Sequence, residues 1–198
     1  MDLTFPLFVG KLICLAPVRP EQDAEVESRW THDAGYLRMF GYKTIRPISS
    51  AQVKKVYEEL DRQGDQGKNK FYLAIRLLPD ERLVGFAKIY SIGWTHGAAR
   101  MQLGIGDPAD RGKGFGGEAL RLLLRYAFEE LNLYRLTAAV PEYNQPALRL
   151  FEKAGFRVEV CQRQLLHRDG RRWDMLGLGL LRRDWEQGKQ ANRDMRGE

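Results

Sequence analysis

Between Asp107 and Glu118 the chain reads Asp-Pro-Ala-Asp-Arg-Gly-Lys-Gly-Phe-Gly-Gly-Glu, which places four glycines in the six residues 112–117. Glycine carries no Cβ and opens positive φ, so a run this dense lets neighbouring backbone N–H groups turn inward together. The preceding segment, Ala99 to Gly106, alternates, with Met101, Leu103 and Ile105 on one face and Arg100 and Gln102 on the other. The following segment is the strongest helix in the chain, where Leu120, Leu123, Leu124, Ala127, Phe128 and Leu131 make a wide apolar stripe. A strand that feeds a helix through such a loop directs the positive end of the helix dipole at the loop. With Arg111 and Lys113 among the glycines, the unit reads as a pyrophosphate cradle.

Two nucleotide motifs fit it poorly. No Gly-Lys pair here is followed by Ser or Thr, so the magnesium-binding hydroxyl of a Walker A loop is missing. Gly112, Gly114 and Gly117 match the dinucleotide fingerprint literally, and Glu142 stands where a ribose-binding acid would follow. In that fold, however, the turn leaves its strand directly, whereas Asp107 to Arg111 intervene here. The unit also begins at mid-chain, which leaves too little sequence for a second mononucleotide half.

The remaining elements frame this unit. Leu7 to Val18 reads as an opening strand, and Pro20 with the acidic stretch through Glu27 starts a helix to about Trp30. Ser49-Ser50 caps a second helix, with Val53, Val56, Tyr57 and Leu60 on one face. Phe71 to Leu77 and Leu83 to Ile92 flank Pro79-Asp80 as a hairpin. Beyond the glycine loop come a short buried strand, Leu136 to Val140, and a helix from Pro146 to Ala154 that stops at Gly155. A last hairpin, Phe156 to Leu166 with Trp173 to Leu181, turns at Asp169-Gly170. The order β-α-α-β-β-β-α-β-α-β-β predicts one α/β (α+β) domain over residues 1–186, with a parallel crossover at its centre. Residues 187–198 are polar, lack an apolar period and read as a tail.

Composition narrows the classes. At 43% hydrophobic residues the chain is not a disordered one. No apolar run approaches the roughly 18 residues of a membrane span, so a soluble protein is expected. The N-terminus lacks the basic start of a signal peptide. Cys14 and Cys161 are far apart in sequence and read as small buried hydrophobes, so a reducing cytoplasm is the expected compartment and no metal is expected. The net charge is +6, and the positive charge is spread along the chain with one concentration at Arg163, Arg168, Arg171, Arg172, Arg182 and Arg183. No zinc finger, helix-turn-helix or RNA-binding signature accompanies it, so the basic surface reads as a solvated hairpin or an attractor for an anionic cofactor rather than a nucleic-acid interface.

Arg111-Gly112-Lys113-Gly114-Phe115-Gly116 resembles the Arg/Gln-x-x-Gly-x-Gly/Ala loop of the GNAT superfamily of N-acetyltransferases. Leu131 to Leu136, and Asn144-Gln145-Pro146-Ala147 through Phe151 to Phe156, resemble later blocks shared by its ribosomal-protein N-terminal and spermidine acetyltransferases. The likeness covers about residues 7–186. It implies a mixed, mostly antiparallel sheet with a splayed parallel strand pair flanked by helices. It implies acetyl-coenzyme A as co-substrate, with the thioester arm on the backbone of Leu103, Gly104 and Ile105. The pyrophosphate would lie on the loop Arg111, Gly112, Lys113, Gly114, Phe115, Gly116 and Gly117, and the pantetheine against Asn144 and Phe151. Relatives also imply a homodimer, for which the apolar run Met175 to Leu181 is a candidate surface.

The chain departs from that pattern where protons move. Phe151 stands where many relatives place an acidic Tyr, Ala147 where some carry Ser, and Gln102 where a glutamate base is common. None of the three exchanges protons at neutral pH. Tyr143, His96 and Asp107 are the substitute candidates. Trp30, Tyr36, Phe40, Tyr42 and Trp94 are candidates for shaping the acceptor site. Peptide N-termini, polyamines, aminoglycosides and small amines all stay open as acceptors, and an acyl-coenzyme A binding module without transfer is the alternative reading.

Overall fold

The computed structural model describes residues 6–40, 45–62 and 69–194. In chain order the elements are β1 (Ile13–Ala16), α1 (Pro20–Trp30), α2 (Ala34–Arg38), α3 (Ser50–Arg62), β2 (Lys70–Leu77), β3 (Leu83–Gly93), β4 (Ala98–Ile105), α4 (Phe115–Arg125), β5 (Arg135–Pro141), α5 (Gln145–Lys153), β6 (Arg157–Arg168), β7 (Arg171–Leu181) and α6 (Arg182–Asp194). One seven-stranded sheet runs β1-β2-β3-β4-β5-β7-β6, antiparallel throughout except for β4 beside β5. That parallel pair is joined only at Ala98–Arg135, Ala99–Leu136 and Arg100–Thr137. Past Arg100 the two strands part, while β4 stays paired with β3 to Ile105 and β5 with β7 to Pro141. The sheet therefore opens as a V at its middle.

Alternation decides the faces. Ala99 and Met101 of β4 and Leu136, Ala138 and Val140 of β5 are buried beneath α4 and α5. The apolar stripe of α4 sits on them through Leu120, Leu123 and Leu124, and a π-helical turn over Tyr126–Glu130 carries Ala127 and Phe128 into the same core. On the other face α1, α2 and α3 cover β2 and β3, with Trp30, Tyr36, Ala74 and Phe86 in one cluster and Ala24, Val53 and Tyr57 in another. The last hairpin turns on Asp169 (φ 51°) and Gly170 (φ 74°), the two positive φ values that a two-residue type I′ turn requires. Gly155 (φ 93°) ends α5 as expected.

Five expectations change. The opening strand is only Ile13–Ala16, because the chain turns back after Gly10, whose N–H donates to the Ile13 carbonyl at 2.8 Å, and Val9 bridges to Cys14. The helix α2 is an addition of five residues, capped by Asp33 accepting from the Gly35 N–H at 2.8 Å, too short for an apolar period to register. Residues 187–194, read as tail, continue α6. Cys161 is exposed on the edge strand β6 and Cys14 is half-buried, so neither is a core residue. The run Met175 to Leu181 belongs to β7, an inner strand whose Leu178 and Leu180 lie in the core, so its apolarity is explained within one chain.

One buried ion pair fastens the helical layer to the sheet. Arg76 on β2 donates to Asp23 on α1 at 2.6 Å, with side chains 4% and 2% exposed. Asp23 also accepts from the Arg19 N–H at 2.6 Å, at the start of its own helix. Removing one member of such a pair strands the other charge, typically at a cost of about 3–5 kcal/mol. Asp23→Ala is expected to lose stability of that order, seen as a large fall in the urea midpoint with little change in the slope.

Candidate functional site

The V between β4 and β5 opens into a groove of about 1150 Å³. Leu103, Gly104 and Ile105 of β4, the glycine loop, one flank of α4, and Asn144, Ala147 and Leu150 at the start of α5 line it. Tyr36, Met39 and Phe40 close its mouth, and Trp185 and Lys189 of α6 line its far end. A passage of only about 40 Å³, bounded by Met39, Phe40, Gln102, Ala139, Asn144 and Phe151, lies between the parted strands.

Local chemistry shapes the loop. Asp107 accepts from the Ala109 N–H at 2.8 Å and starts a short 3₁₀ turn, Pro108–Asp110. Asp110 is buried and takes a two-pronged contact from Arg82, at 2.7 and 2.9 Å, with Lys113 at 3.8 Å. The Arg82 hydrogen bonds hold its carboxyl below the usual range. Arg111 folds back, donating to the carbonyls of Gly106 at 2.7 Å and Ile105 at 3.3 Å, and so braces the loop against the end of β4. Gly112 (φ 76°) and Gly114 (φ 89°) take left-handed conformations that turn the chain into α4. The first intrahelical bond runs from the Glu118 N–H to the Gly114 carbonyl. The N–H groups of Phe115, Gly116 and Gly117 therefore have no acceptor within the helix. A Cβ on Gly116 would come no nearer than 3.8 Å to Ile105 and Leu150, so the glycine floor leaves space above those donors.

Glycine serves packing on β4. A Cβ on Gly104 would lie 2.4 Å from the Phe40 ring, and one on Gly106 would lie 2.0 Å from the Trp30 ring. These two rings press against the glycine positions at the end of β4. Trp30 is thus a packing residue behind the groove, whereas Tyr36 reaches its lining. Tyr42 lies outside the described residues.

The proposed proton-transfer residues do not converge. His96 and Trp94 sit in a 3₁₀ turn before β4, at the paired end of the V and away from the groove. Asp107 is exposed and occupied as the cap just described. The Tyr143 hydroxyl donates to the Arg38 carbonyl at 2.6 Å, and burial raises its pKa while Arg168 and Arg38 pull it back. Its neighbour Asn144 does reach the groove, donating to the Met39 carbonyl at 3.2 Å and capping α5 through Ala147. Phe151 is buried edge-on to Phe156 at 5.0 Å and lines the passage.

Two features escape sequence reasoning. Glu118, in the first turn of α4, accepts from the N–H groups of Lys11 (2.6 Å), Leu12 (2.8 Å) and Ile13 (3.1 Å). That contact spans more than a hundred residues, and no local pattern announces it. Trp185 packs on Phe128 at 5.1 Å, and Lys189 lies 4.5 Å over Trp185 and 2.5 Å from Glu129. Trp185 four residues before Lys189 was the only signal in an otherwise polar stretch.

The fold is thus a mixed α/β sheet parted beside a glycine-lined helix start. The family model described as an acetyltransferase (GNAT) domain matches residues 13–157, and the chain belongs to that family. It is 34% identical over 187 residues to the probable N-acetyltransferase YjcK of Bacillus subtilis (strain 168), covering 90% of this chain and 98% of that one. It is 33% identical over 95 residues, 48% of each chain, to the spermidine N(1)-acetyltransferase of Escherichia coli (strain K12). The crystal structure of spermidine N-acetyltransferase from Vibrio cholerae with CoA and spermine superposes with a TM-score of 0.76 at 20% identity, over 88% of this chain and 98% of that chain. This last likeness establishes the fold. By family the protein is an acyltransferase of the N-acetyltransferase type.

Glu118 generates a pH signature. Burial works against its charge, but the three backbone N–H groups outweigh burial and hold the carboxyl below its ordinary value of 4.5. A depressed folded-state pKa stabilises fully above the unfolded value and is lost as pH falls through the folded one. Wild type is expected to outlast Glu118→Gln in urea at pH 7, with the gap closing as the pH drops below 4.5.

Proposed function

We propose that the protein transfers an acetyl group from acetyl-coenzyme A to a primary amine by direct attack in a ternary complex. The observation that carries this reading is the row of uncommitted N–H groups at Phe115 to Gly117 above a glycine floor, opening onto the unpaired edge of β4. When bound, acetyl-coenzyme A supplies an activated thioester carbonyl. The loop N–H groups, the helix dipole and Lys113 hold the pyrophosphate. Asn144 and the backbone of Leu103 to Ile105 align the pantetheine arm, and backbone donors on that edge stabilise charge developing on the carbonyl oxygen. Lys153, Arg121 and Lys189, around Trp185, suit the phosphorylated nucleoside end.

As the C–N bond forms, the C–S bond breaks and the sulfur leaves as thiolate. Phe151, Ala147 and Gln102 offer no proton, and the Tyr143 hydroxyl is engaged with a backbone carbonyl. A thiol pKa of about 8.5 makes the thiolate a tolerable leaving group without a dedicated acid, and the amine's proton passes to solvent.

Calorimetry and thiol release test the reading. Wild type should bind acetyl-coenzyme A and release thiol with at least one member of a broad amine panel, while binding without release from any amine would favour the non-transferring module. Gly114→Val, a β-branched side chain at φ 89° where the loop turns into α4, should bind coenzyme A roughly tenfold or more weakly in a folded variant, because it displaces several N–H donors together. Unchanged affinity would refute the cradle.

Phe151→Tyr places a phenol on the passage at similar volume. Under direct attack without an acid, this variant should turn over at least as fast as the parent, most visibly below about pH 8, where the phenol is protonated and the thiolate is disfavoured. A collapse of the rate in Tyr143→Phe with intact coenzyme affinity would instead identify Tyr143 as the acid.

A further inference from the structure

The groove and the passage between the parted strands adjoin, since Met39, Phe40, Leu103, Asn144 and Ala147 line both. With the pyrophosphate on the loop and the pantetheine arm along Leu103 to Ile105, the thioester falls at this inner end. An attacking nitrogen must come within bonding reach of it there. Every described residue lining the passage is uncharged at neutral pH, and only Gln102 and Asn144 among them are polar. The Asn144 side chain is occupied, donating to the Met39 carbonyl at 3.2 Å and accepting from the Ala147 N–H at 3.3 Å. At about 40 Å³ the passage has room for roughly three waters at most.

The acids in reach of this space are committed elsewhere. Three line the groove, all toward the loop or its far end. Arg82 holds Asp110 at 2.7 Å, three backbone N–H groups hold Glu118, and Asp184 lies 3.4 Å from Arg183 on α6. Around the passage, α2 brings Arg38, which reaches Asp169 at 3.4 Å, and Tyr36, whose burial raises its pKa well above the ordinary value. β3 sets Lys88 opposite Gln102 in the register, and Arg100 of β4 is exposed. The β5–α5 turn brings Glu142, which accepts from the Asp174 N–H at 2.8 Å, and Tyr143, which donates to the Arg38 carbonyl. α5 offers Ala147 and Phe151 to the passage, while its Arg149 and Glu152 are exposed. Beyond Phe40 and Phe86, Glu27 binds the hydroxyls of Tyr57 and Tyr72. None of these acids lines the passage.

We propose that the acceptor is a weakly basic primary amine, as found beside the carbonyl of an amino-acid amide or at a peptide N-terminus, selected because it arrives already neutral. This rests on the N-acetyltransferase reading above and narrows its substrate class. A narrow, uncharged lining disfavours an ammonium, which would shed hydration without gaining a counter-charge. Gln102 accepts from a neutral N–H but takes up no proton at neutral pH. The amine's own pKa therefore sets how much nucleophile is present. At about pH 7.5 an α-amino group of pKa about 7.8 is roughly one-third neutral, whereas an alkylamine of pKa about 10.4 is neutral in roughly one molecule in 800. The more basic nitrogen is the better nucleophile once neutral, which returns part of that ratio and leaves about tenfold or more. As the C–N bond forms, the C–S bond breaks, the thiolate leaves and the surplus nitrogen proton passes to solvent. Spermidine, for which the Escherichia coli relative is named, carries alkylamines and should be a poor acceptor here.

Thiol release from acetyl-coenzyme A tests this on two series within the broad panel. Ethylamine, 2-fluoroethylamine and 2,2-difluoroethylamine keep nearly one size while each fluorine lowers the pKa. Propylamine, glycinamide and triglycine amide contrast an alkylamine with two α-amines, and whichever α-amine leads tells a small amide from a peptide N-terminus. At about pH 7.5, kcat/KM should rise with each fluorine, and glycinamide or triglycine amide should exceed propylamine by about tenfold or more. With rising pH the α-amines should level off near their own pKa of about 8, whereas propylamine should still climb at about pH 9.5. Gln102→Glu, which sets a carboxylate on the passage, should narrow the gap between glycinamide and propylamine; an unchanged gap in that variant would mean the lining does not select. Alkylamines ahead at pH 7.5, or one plateau pH shared by every amine, would overturn the proposal and leave the transferase reading standing. Turnover confined to panel amines of lysine-like basicity would do the same. Silence from every amine in a chain that binds acetyl-coenzyme A would take both readings down.

Discussion

Everything functional in this fold depends on two parallel strands parting after three paired residues. β4 and β5 are joined from Ala98 to Arg100 and then diverge, each still held on its outer side by an antiparallel partner. Unpaired strand edges inside a protein are costly unless something satisfies them. Here Phe151 and Met101 fill the root of the V, and Phe40 lies on Gly104. What is left over is a backbone edge beside a helix start with its own unsatisfied donors. Two sets of orphan N–H groups, from a strand and from a helix, thus face one groove.

That arrangement explains which parts were legible. The glycine run and the apolar stripe of α4 are local, and both appear where expected. The Asp169-Gly170 hairpin and the Gly155 cap are equally local, because each needs a positive φ that few residues supply. By contrast, α2 rests on one Asx cap, α6 on one tryptophan, and the fold-back at Gly10 on a carboxylate more than a hundred residues away. Such features arise from tertiary contacts that no window of sequence contains. The glycines of β4 were legible as glycines but not as the seats of Phe40 and Trp30.

The candidate site divides the same way. Residue types at the cradle follow from backbone chemistry and so can be read in order along the chain. Proton-transfer candidates require knowing which turns meet, and His96, chosen for its chemistry, falls at the wrong end of β4. Tyr143 falls near the site, but its hydroxyl joins the β5–α5 turn to α2. A tyrosine whose hydroxyl joins two turns acts first by holding them against each other.

Glu118 shows how stability and binding are reconciled at the helix start. A carboxylate in the first turn of a helix favours the dipole, but beside a pyrophosphate site it would repel the ligand. The chain resolves this by committing the Glu118 carboxylate to the N–H groups of Lys11, Leu12 and Ile13, which take up its charge while the fold-back at Gly10 is fixed in return. Asp110 is treated alike, its charge answered by Arg82 and Lys113. The charges of Glu118 and Asp110 are therefore answered by the protein's own donors. The helix dipole and the inward N–H groups of Phe115 to Gly117 are left to act on whatever anion enters the groove.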